Sequence, residues 1–178
     1  MKRIVIVDDE DNIGRTLRLI LERENYHVTV CRSGAEFRGH PEVARADAFL
    51  MDVRLPDVSG IDLLRELRQA DHRTPVIMIS GHATISDAVE ATRAGAYDFL
   101  EKPVGRDRLL LAIKNAIEQS SLREENERLR ELVACSSKMI GTSRVFRDVV
   151  EQATLAARSD ARILLTGESG TGKELLAA

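Results

Sequence analysis

The sequence predicts an α/β protein built on a doubly wound, parallel sheet of five strands. Up to about residue 118, five short apolar runs alternate with stretches in which apolar residues recur at helical spacing. The runs are continuously apolar, which is typical of parallel strands covered by helices on both faces. All four prolines lie in this part, whereas residues 106–140 contain neither proline nor glycine. We therefore expect a turn-rich first domain followed by a long helix.

The five predicted strands cover residues 2–7, 28–31, 46–51, 75–79 and 96–100. Helices are predicted between them over residues 14–23, 61–69 and 86–94, and Ile61, Leu64 and Leu67 show the clearest helical spacing. Five β/α units of this length suit a flavodoxin-like sheet. Such sheets carry their chemistry at the carboxyl ends of the strands, so the functional residues are expected there.

A long helix is predicted from Arg106 to about Cys135, a length of roughly 45 Å. Its second half has the spacing of a parallel coiled-coil seam, with attractive charge pairs at the flanking positions. The seam residues are Leu122, Asn126, Leu129 and Val133, and the flanking pairs are Glu118 with Arg123 and Glu125 with Arg130. Residues 119–136 are therefore predicted to form a helical dimerisation linker. A solvated single helix is the alternative, because two heptads do not hold a dimer by themselves.

Composition and charge exclude several classes of function. The 178 residues are 43% hydrophobic and 31% charged, as in a globular protein. A net charge of −3, 3% aromatic residues and no tryptophan provide neither a basic field nor stacking surfaces for nucleic acid. No apolar run approaches the length of a membrane span or a secretory signal. Cys31 and Cys135 lie far apart and are expected to be reduced, so we expect a cytoplasmic protein without a membrane partner.

Acidic residues follow two of the predicted strands. Asp8 and Asp9 come after the first strand, and Asp52 comes after the third. Because parallel strands end at one edge of a sheet, these carboxylates are expected to converge, and they repel one another unless a cation lies among them. Mg²⁺ prefers oxygen ligands of this kind. The group therefore predicts a Mg²⁺ site, although each acid alone is more typical of a solvated turn or helix cap.

The fourth and fifth strands add a hydroxyl and an ammonium group to the same edge. Ser80 follows the fourth strand, and Lys102 follows the fifth and precedes Pro103, which favours an extended backbone at Lys102. A lysine–proline pair alone is usually only a helix start. With the carboxylates, these groups provide the positioning and charge neutralisation that phosphoryl transfer mainly requires.

Residues 1–118 resemble the receiver domain of a two-component response regulator. The resemblance rests on motifs at the ends of four strands, which read Val7-Asp8-Asp9-Glu10, Met51-Asp52-Val53-Arg54-Leu55-Pro56, Ser80-Gly81 and Lys102-Pro103. It implies that Asp52 attacks the phosphohistidine of a sensor histidine kinase and becomes a phospho-aspartate.

The same resemblance implies a role for each side chain around Asp52. The metal ligands it implies are Asp9, Asp52 and the main-chain carbonyl of Arg54, with Asp8 acting on Mg²⁺ through water. Ser80 is expected to hydrogen-bond the new phosphoryl oxygen, and Lys102 to pair with it. Phe99 is expected to be the aromatic residue that moves inward behind Ser80.

A glycine-rich loop near residue 170 matches the pattern of a phosphate-binding loop. Its residues are Gly167, Glu168, Ser169, Gly170, Thr171, Gly172, Lys173 and Glu174. Backbone amides of such a loop converge on phosphate oxygens, and the lysine adds a positive charge. A strand is predicted before the loop over residues 162–166, and Thr142 or Ser143 is expected to cap an earlier helix. The alternative is a flexible glycine-rich turn. Glu174 departs from the usual Ser or Thr, but this form resembles the sigma-54-dependent, NtrC-like AAA+ activators.

Three segments are expected: a receiver at 1–118, the linker at 119–136, and the start of an AAA+ ATPase domain at 137–178. The linker and the face formed by the fourth helix, fifth strand and fifth helix are expected to form a homodimer. ATP binding, and contacts with sigma-54 RNA polymerase and DNA, are expected only of a longer protein, so this segment is not expected to be an ATPase. Two alternatives remain open: a nucleotide-binding protein whose first domain only dimerises, and a small Mg²⁺-dependent phosphohydrolase.

Overall fold

The computed structural model describes residues 1–81, 84–136, 143–157 and 163–168, with Gly141, Lys173 and Leu176 in addition. Of residues 131–136 it describes the helical backbone only. The chain divides into two compact units, Met1–Glu124 and Glu125–Ala178.

The first unit contains a five-stranded sheet in which all paired strands are parallel. The strands are β1 (Arg3–Val7), β2 (His27–Cys31), β3 (Ala48–Asp52), β4 (Val76–Ser80) and β5 (Asp98–Glu101), in the order β2-β1-β3-β4-β5. This confirms the predicted doubly wound sheet. The strands predicted at 46 and 96 begin two residues later, at Ala48 and Asp98.

Five helices follow the strands in chain order, and the last of them continues past Glu124, where the first unit ends. They are α1 (Asp11–Glu22), α2 (Gly34–Gly39), α3 (Gly60–Gln69), α4 (Ile85–Arg93) and α5 (Arg106–Ser136), with a 3₁₀ turn at Pro41–Arg45. The sequence did not indicate α2, because six residues are too few to show a period; its cap is Ser33, whose hydroxyl accepts from the Glu36 amide. The end of α5 agrees with the long helix predicted from Arg106 to about Cys135.

The core consists of two apolar layers, one on each face of the sheet. Within β1, Ile4 and Ile6 pack into one layer and Val5 and Val7 into the other. The first layer also contains Leu17 and Leu21 of α1 with Leu109, Ala112 and Ile113 of α5; the second contains Phe37 of α2 with Ile61, Leu63 and Leu64 of α3. Since both faces of a strand are covered, the strands read as continuous apolar runs in the sequence.

The helix α4 is the least buried helix of the sheet-forming unit. Ala91 is its fully buried residue, whereas Ile85 and Val89 are 87% and 46% exposed. Thr84 and Asp87 form a capping box at its start. On the neighbouring α3, Arg65 donates to Glu90 at 2.6 Å.

In the second unit, helix α6 covers Arg144–Ala156, and the Ser143 hydroxyl accepts from the Phe146 amide at its start. The strand predicted over residues 162–166 is wrong for residues 163–166, which have no regular secondary structure. A strand needs a neighbour for its backbone groups, and the described part of this unit has no other strand. Among the residues that the structure describes, no helix is both long and apolar enough to cross a membrane.

Candidate functional site

The carboxyl ends of β1, β3, β4 and β5 bring four side-chain positions to one edge of the sheet. Lys102 follows β5, and its Nζ lies 2.8 Å from Asp8 Oδ2, after β1. The same Nζ donates a short hydrogen bond to Asp52 Oδ2 at the end of β3. Ser80 is buried at the end of β4, and its carbonyl accepts the Lys102 N–H at 2.8 Å. Residues far apart in sequence therefore meet in one buried cluster.

The inner side chains of the cluster are buried, and an acidic side chain lies on its solvent-facing side. The side chains of Asp8, Asp52 and Lys102 are 0%, 7% and 8% exposed, whereas the Glu10 side chain is 58% exposed. Glu10 Oε1 accepts from Lys102 Nζ at 3.0 Å. One ammonium group thus faces three carboxylates, which leaves an excess of negative charge.

Burial and charge shift the pKa values of two groups. Burial raises the pKa of Asp8, and this outweighs the lowering by Lys102 and by the Glu10 amide. Burial also lowers the pKa of Lys102, but the contacts of its ammonium group with Asp52, Asp8 and Glu10 together raise it well above its usual value. Lys102 is therefore a fixed cation, while the Asp8 carboxyl ionises at a higher pH than an exposed aspartate does.

Backbone groups orient the two buried carboxylates. The Arg54 amide donates to Asp52 Oδ1 at 2.9 Å, and the Glu10 amide donates to Asp8 Oδ1 at 2.9 Å. Asp8 Oδ2 is buried and has no well-directed hydrogen bond, although Lys102 Nζ lies at ion-pair distance. Asp8 Oδ2 therefore faces the Lys102 ammonium group inside the cluster rather than solvent.

The donor set fits a hard divalent cation. One oxygen from each of Asp8, Glu10 and Asp52 lies within 4.8 Å of the others. Carboxylate oxygens with room for water are the ligands that Mg²⁺ prefers. The members differ from the sequence expectation, because Asp9 is exposed and lies outside this trio, whereas Glu10 lies within it. Glu10 was missed, although it belongs to the same acidic run; direct ligation by Asp9 and by the Arg54 carbonyl stays a prediction.

Phe99 lies on β5, where it pairs in register with Met78 of β4. Its side chain is half-buried and packs against the apolar layer that contains Phe49 and Met51. The movement predicted for Phe99 stays a prediction. The peptide bond between Lys102 and Pro103 is cis.

The glycine-rich loop is described only in part. Lys173 Nζ donates to the carbonyls of Gly167 and Glu168, at 3.0 and 2.5 Å. The remaining predicted phosphate-binding residues lie outside the described residues: Ser169, Gly170, Thr171, Gly172 and Glu174. Binding of ATP by this loop stays a prediction.

Comparison with protein families decides the class of the first unit. Residues 4–114 match the response regulator receiver domain. The chain belongs to the response regulator receiver family. Residues 139–178 match a second family, the sigma-54 interaction domain. A receiver followed by part of a sigma-54 activation domain agrees with the NtrC-like resemblance.

Curated regulatory proteins align with this chain along nearly its whole length. The regulatory protein AtoC of Escherichia coli is 35% identical over 99% of this chain and 39% of its own length. The nitrogen assimilation regulatory protein NtrX of Azorhizobium caulinodans is 36% identical over 98% of this chain and 38% of its own length. The chain thus spans about two fifths of these relatives.

Solved receiver structures share the fold. The beryllofluoride-activated NtrC4 receiver domain dimer is 37% identical, has a TM-score of 0.63, and covers 67% of this chain and 98% of its own. NtrX from Brucella abortus in complex with ADP is 35% identical, has a TM-score of 0.69, and covers 99% of this chain and 40% of its own.

Proposed function

We propose that this receiver accepts a phosphoryl group on Asp52 from a sensor histidine kinase, with Mg²⁺ as cofactor, and thereby controls a sigma-54-activator ATPase and transcription. The observation that carries the proposal is the buried contact of Lys102 with Asp52 and Asp8 at one sheet edge, in a chain of the receiver family. The match at residues 139–178 supports the downstream part. The phosphoryl transfer is proposed to occur in the cytoplasm.

The geometry supports a direct displacement at phosphorus. An oxygen of Asp52 attacks the phosphorus of the phosphohistidine, a P–O bond forms, and the P–N bond breaks. The electron pair of that bond remains on the imidazole nitrogen, which then takes up a proton. Lys102 exchanges its contact with the Asp52 carboxylate for one with a phosphoryl oxygen, and the Ser80 hydroxyl donates to another. The Lys102 ammonium and the Ser80 hydroxyl therefore stabilise the negative charge on the phosphoryl oxygens during the transfer.

Mg²⁺ would be held by the carboxylates at this edge, and when bound it supplies neutralisation of the phosphoryl oxygens. The candidate ligands are Asp8, Asp9, Asp52 and the Arg54 carbonyl, with Glu10 added by its position beside Lys102. The excess of carboxylates over cations in the cluster supports this part of the proposal.

The signal is proposed to pass through α5 to a homodimer. Leu122 and Leu129 are 65% and 50% exposed on α5, at two positions of the predicted seam. Leucines exposed at seam spacing favour a partner helix, and the related NtrC4 receiver domain forms a dimer. We propose the segment bounds 1–118, 119–136 and 137–178. ATP, sigma-54 RNA polymerase and DNA are proposed partners of a longer protein that contains this chain.

Incubation with phosphoramidate and Mg²⁺, followed by intact-mass measurement, tests the proposal. The wild-type chain should gain the mass of one phosphoryl group. Asp52→Asn should gain none, and Asp107→Asn, which removes an acid that is 98% exposed, should behave as wild type. Modification that persists in Asp52→Asn would contradict the proposal, and continuous turnover of a phosphate ester would favour a phosphohydrolase. Tight binding of an ATP analogue that is unaffected by Asp52→Ala would favour the nucleotide-binding alternative, which the comparisons do not favour.

A further inference from the structure

The β3–α3 loop, residues 53–59, contacts Asp52 at both of its ends. At the start, the Arg54 amide donates to Asp52 Oδ1 at 2.9 Å. At the far end, the Gly60 amide donates to the Val53 carbonyl at 2.9 Å, and Gly60 lies against the Asp52 carbonyl. A bridge between Arg54 and Ser59 joins the two arms of the loop. The loop therefore holds one oxygen of the Asp52 carboxylate, and Lys102 contacts the other.

Asp57 anchors the exposed turn of this loop to α2. Its Oδ1 accepts the Gly34 amide at 2.9 Å, and its Oδ2 accepts the Ala35 amide at 2.8 Å. These are the first two amides of α2, which have no partner within the helix. Ser33 accepts the third free amide, from Glu36. The carboxylate of Asp57 thus links the loop to an element that is distant in sequence.

Close packing makes the link specific. A Cβ on Gly34 would lie 2.4 Å from Val58 Cγ1, so the loop rests directly on the start of α2. The hydrogen bond from the Gly34 amide lowers the pKa of Asp57; burial opposes this less strongly, and the hydrogen bond from the Ala35 amide adds to the lowering. Asp57 stays ionised near neutral pH, and both of its hydrogen bonds are charge-assisted.

Resting on the proposed phosphoacceptor role of Asp52, we propose that Asp57 is a positioning residue for phosphoryl transfer. By holding the loop on α2, it keeps the Arg54 amide against Asp52 Oδ1 and the Arg54 carbonyl beside the predicted Mg²⁺ site. Without the anchor, the exposed turn keeps the Arg54–Ser59 bridge and the packing of Val58 on the start of α2, but it loses its charge-assisted link to that helix. The carboxylate then rotates more freely, and the attacking oxygen spends less time in line with the donor.

The test compares four forms of the 178-residue chain: wild type, Asp57→Ala, Asp57→Asn and Asp71→Asn. Asp71 is an exposed acid with positive φ in the turn before β4, at the opposite sheet edge, so its Asn variant removes the same charge without touching the loop. The measured quantity is the rate of phosphorylation by phosphoramidate at several Mg²⁺ concentrations, followed by intact mass. Thermal unfolding of each form is recorded in parallel.

Asp57→Ala is expected to slow phosphorylation by about tenfold and to raise the Mg²⁺ concentration needed for half-maximal rate. Asp57→Asn, which keeps one acceptor oxygen, is expected to fall between Ala and wild type, and it decides the outcome if the Ala variant does not fold. Asp71→Asn should match wild type. A purely structural role would lower the melting temperature and leave the Mg²⁺ dependence unchanged.

Wild-type rates and Mg²⁺ dependence in folded Asp57→Ala, or in Asp57→Asn, would overturn the role of Asp57. An equal change in Asp71→Asn would also overturn it, because the effect would then be one of charge alone. Absence of modification in the wild-type chain would instead refute phosphoacceptance at Asp52, so the two failures are distinguishable.

Discussion

Gly60→Ala is expected to damage both the fold and the site. Gly60 is the first residue of α3, and a Cβ there would lie 1.9 Å from the Asp52 carbonyl oxygen and 3.2 Å from Met78 Cε. Met78 can turn aside, but the carbonyl belongs to the backbone of β3. Either α3 or β3 must move by about 1 Å, and overpacking of this kind costs about 1–3 kcal/mol of unfolding free energy. Because the obstructed backbone is that of Asp52, phosphorylation should slow as well.

Gly39→Ala is the matched control. Gly39 ends α2, and a Cβ there would meet nothing within 4 Å. Alanine at such a site leaves the unfolding free energy unchanged or raises it by about 0.5 kcal/mol, because it reduces the conformational freedom of the unfolded chain. Urea unfolding monitored by circular dichroism gives the free energies, and intact mass gives the phosphorylation rates. If Gly60→Ala unfolds at the wild-type urea concentration, or if the two alanine variants behave alike, the reasoning from close approach is refuted.

Three further outcomes are expected. Lys102→Met leaves two buried carboxylates without their cation and should lower the unfolding free energy by about 3 kcal/mol, part of which Mg²⁺ should restore. Lys2→Met, which breaks an exposed ion pair, should lower it by less than about 1 kcal/mol. Equal losses of unfolding free energy in urea would argue against the buried cluster. Burial, and then Arg68, lowers the pKa of His72 below its usual 6.5. The folded state therefore favours the neutral ring, so the contribution of His72 to the unfolding free energy is complete above pH 6.5 and is lost as the pH falls below that value. If the difference in unfolding free energy between wild type and His72→Gln stays constant with pH, this expectation is wrong. Leu129→Asp should weaken self-association of the chain, as measured by analytical sedimentation. An unchanged sedimentation profile would contradict the predicted coiled-coil seam.

Much of the fold could be predicted because each strand of the sheet is covered on both faces. Ile4 and Val5 face different helix layers, so the sequence shows an unbroken apolar run and a parallel sheet follows from it. The ends of such strands share one edge. For this reason residues as distant as Asp8, Asp52 and Lys102 could be expected to meet, as the structure places them.

The features that the sequence did not indicate depend on single contacts. The helix α2 has six residues and takes part of its capping from Asp57, which lies on another element. The choice between Asp9 and Glu10 at the acidic cluster depends on a turn in which the Glu10 amide binds Asp8. Neither contact leaves a periodic pattern, so hydrophobic spacing could not reveal them.

The shallow burial of α4 has a consequence for where the receiver can change shape. Since Ala91 is its fully buried residue and Ile85 and Val89 already face water, displacing this helix would uncover little new apolar surface. An ion pair between Arg65 and Glu90 at the surface joins it to α3, and exposed pairs of this kind contribute little to stability. Amide hydrogens of α4 should therefore exchange with solvent well before those of β3 or β4. We therefore expect that a small free-energy change is enough to reposition α4 while the rest of the core stays closed.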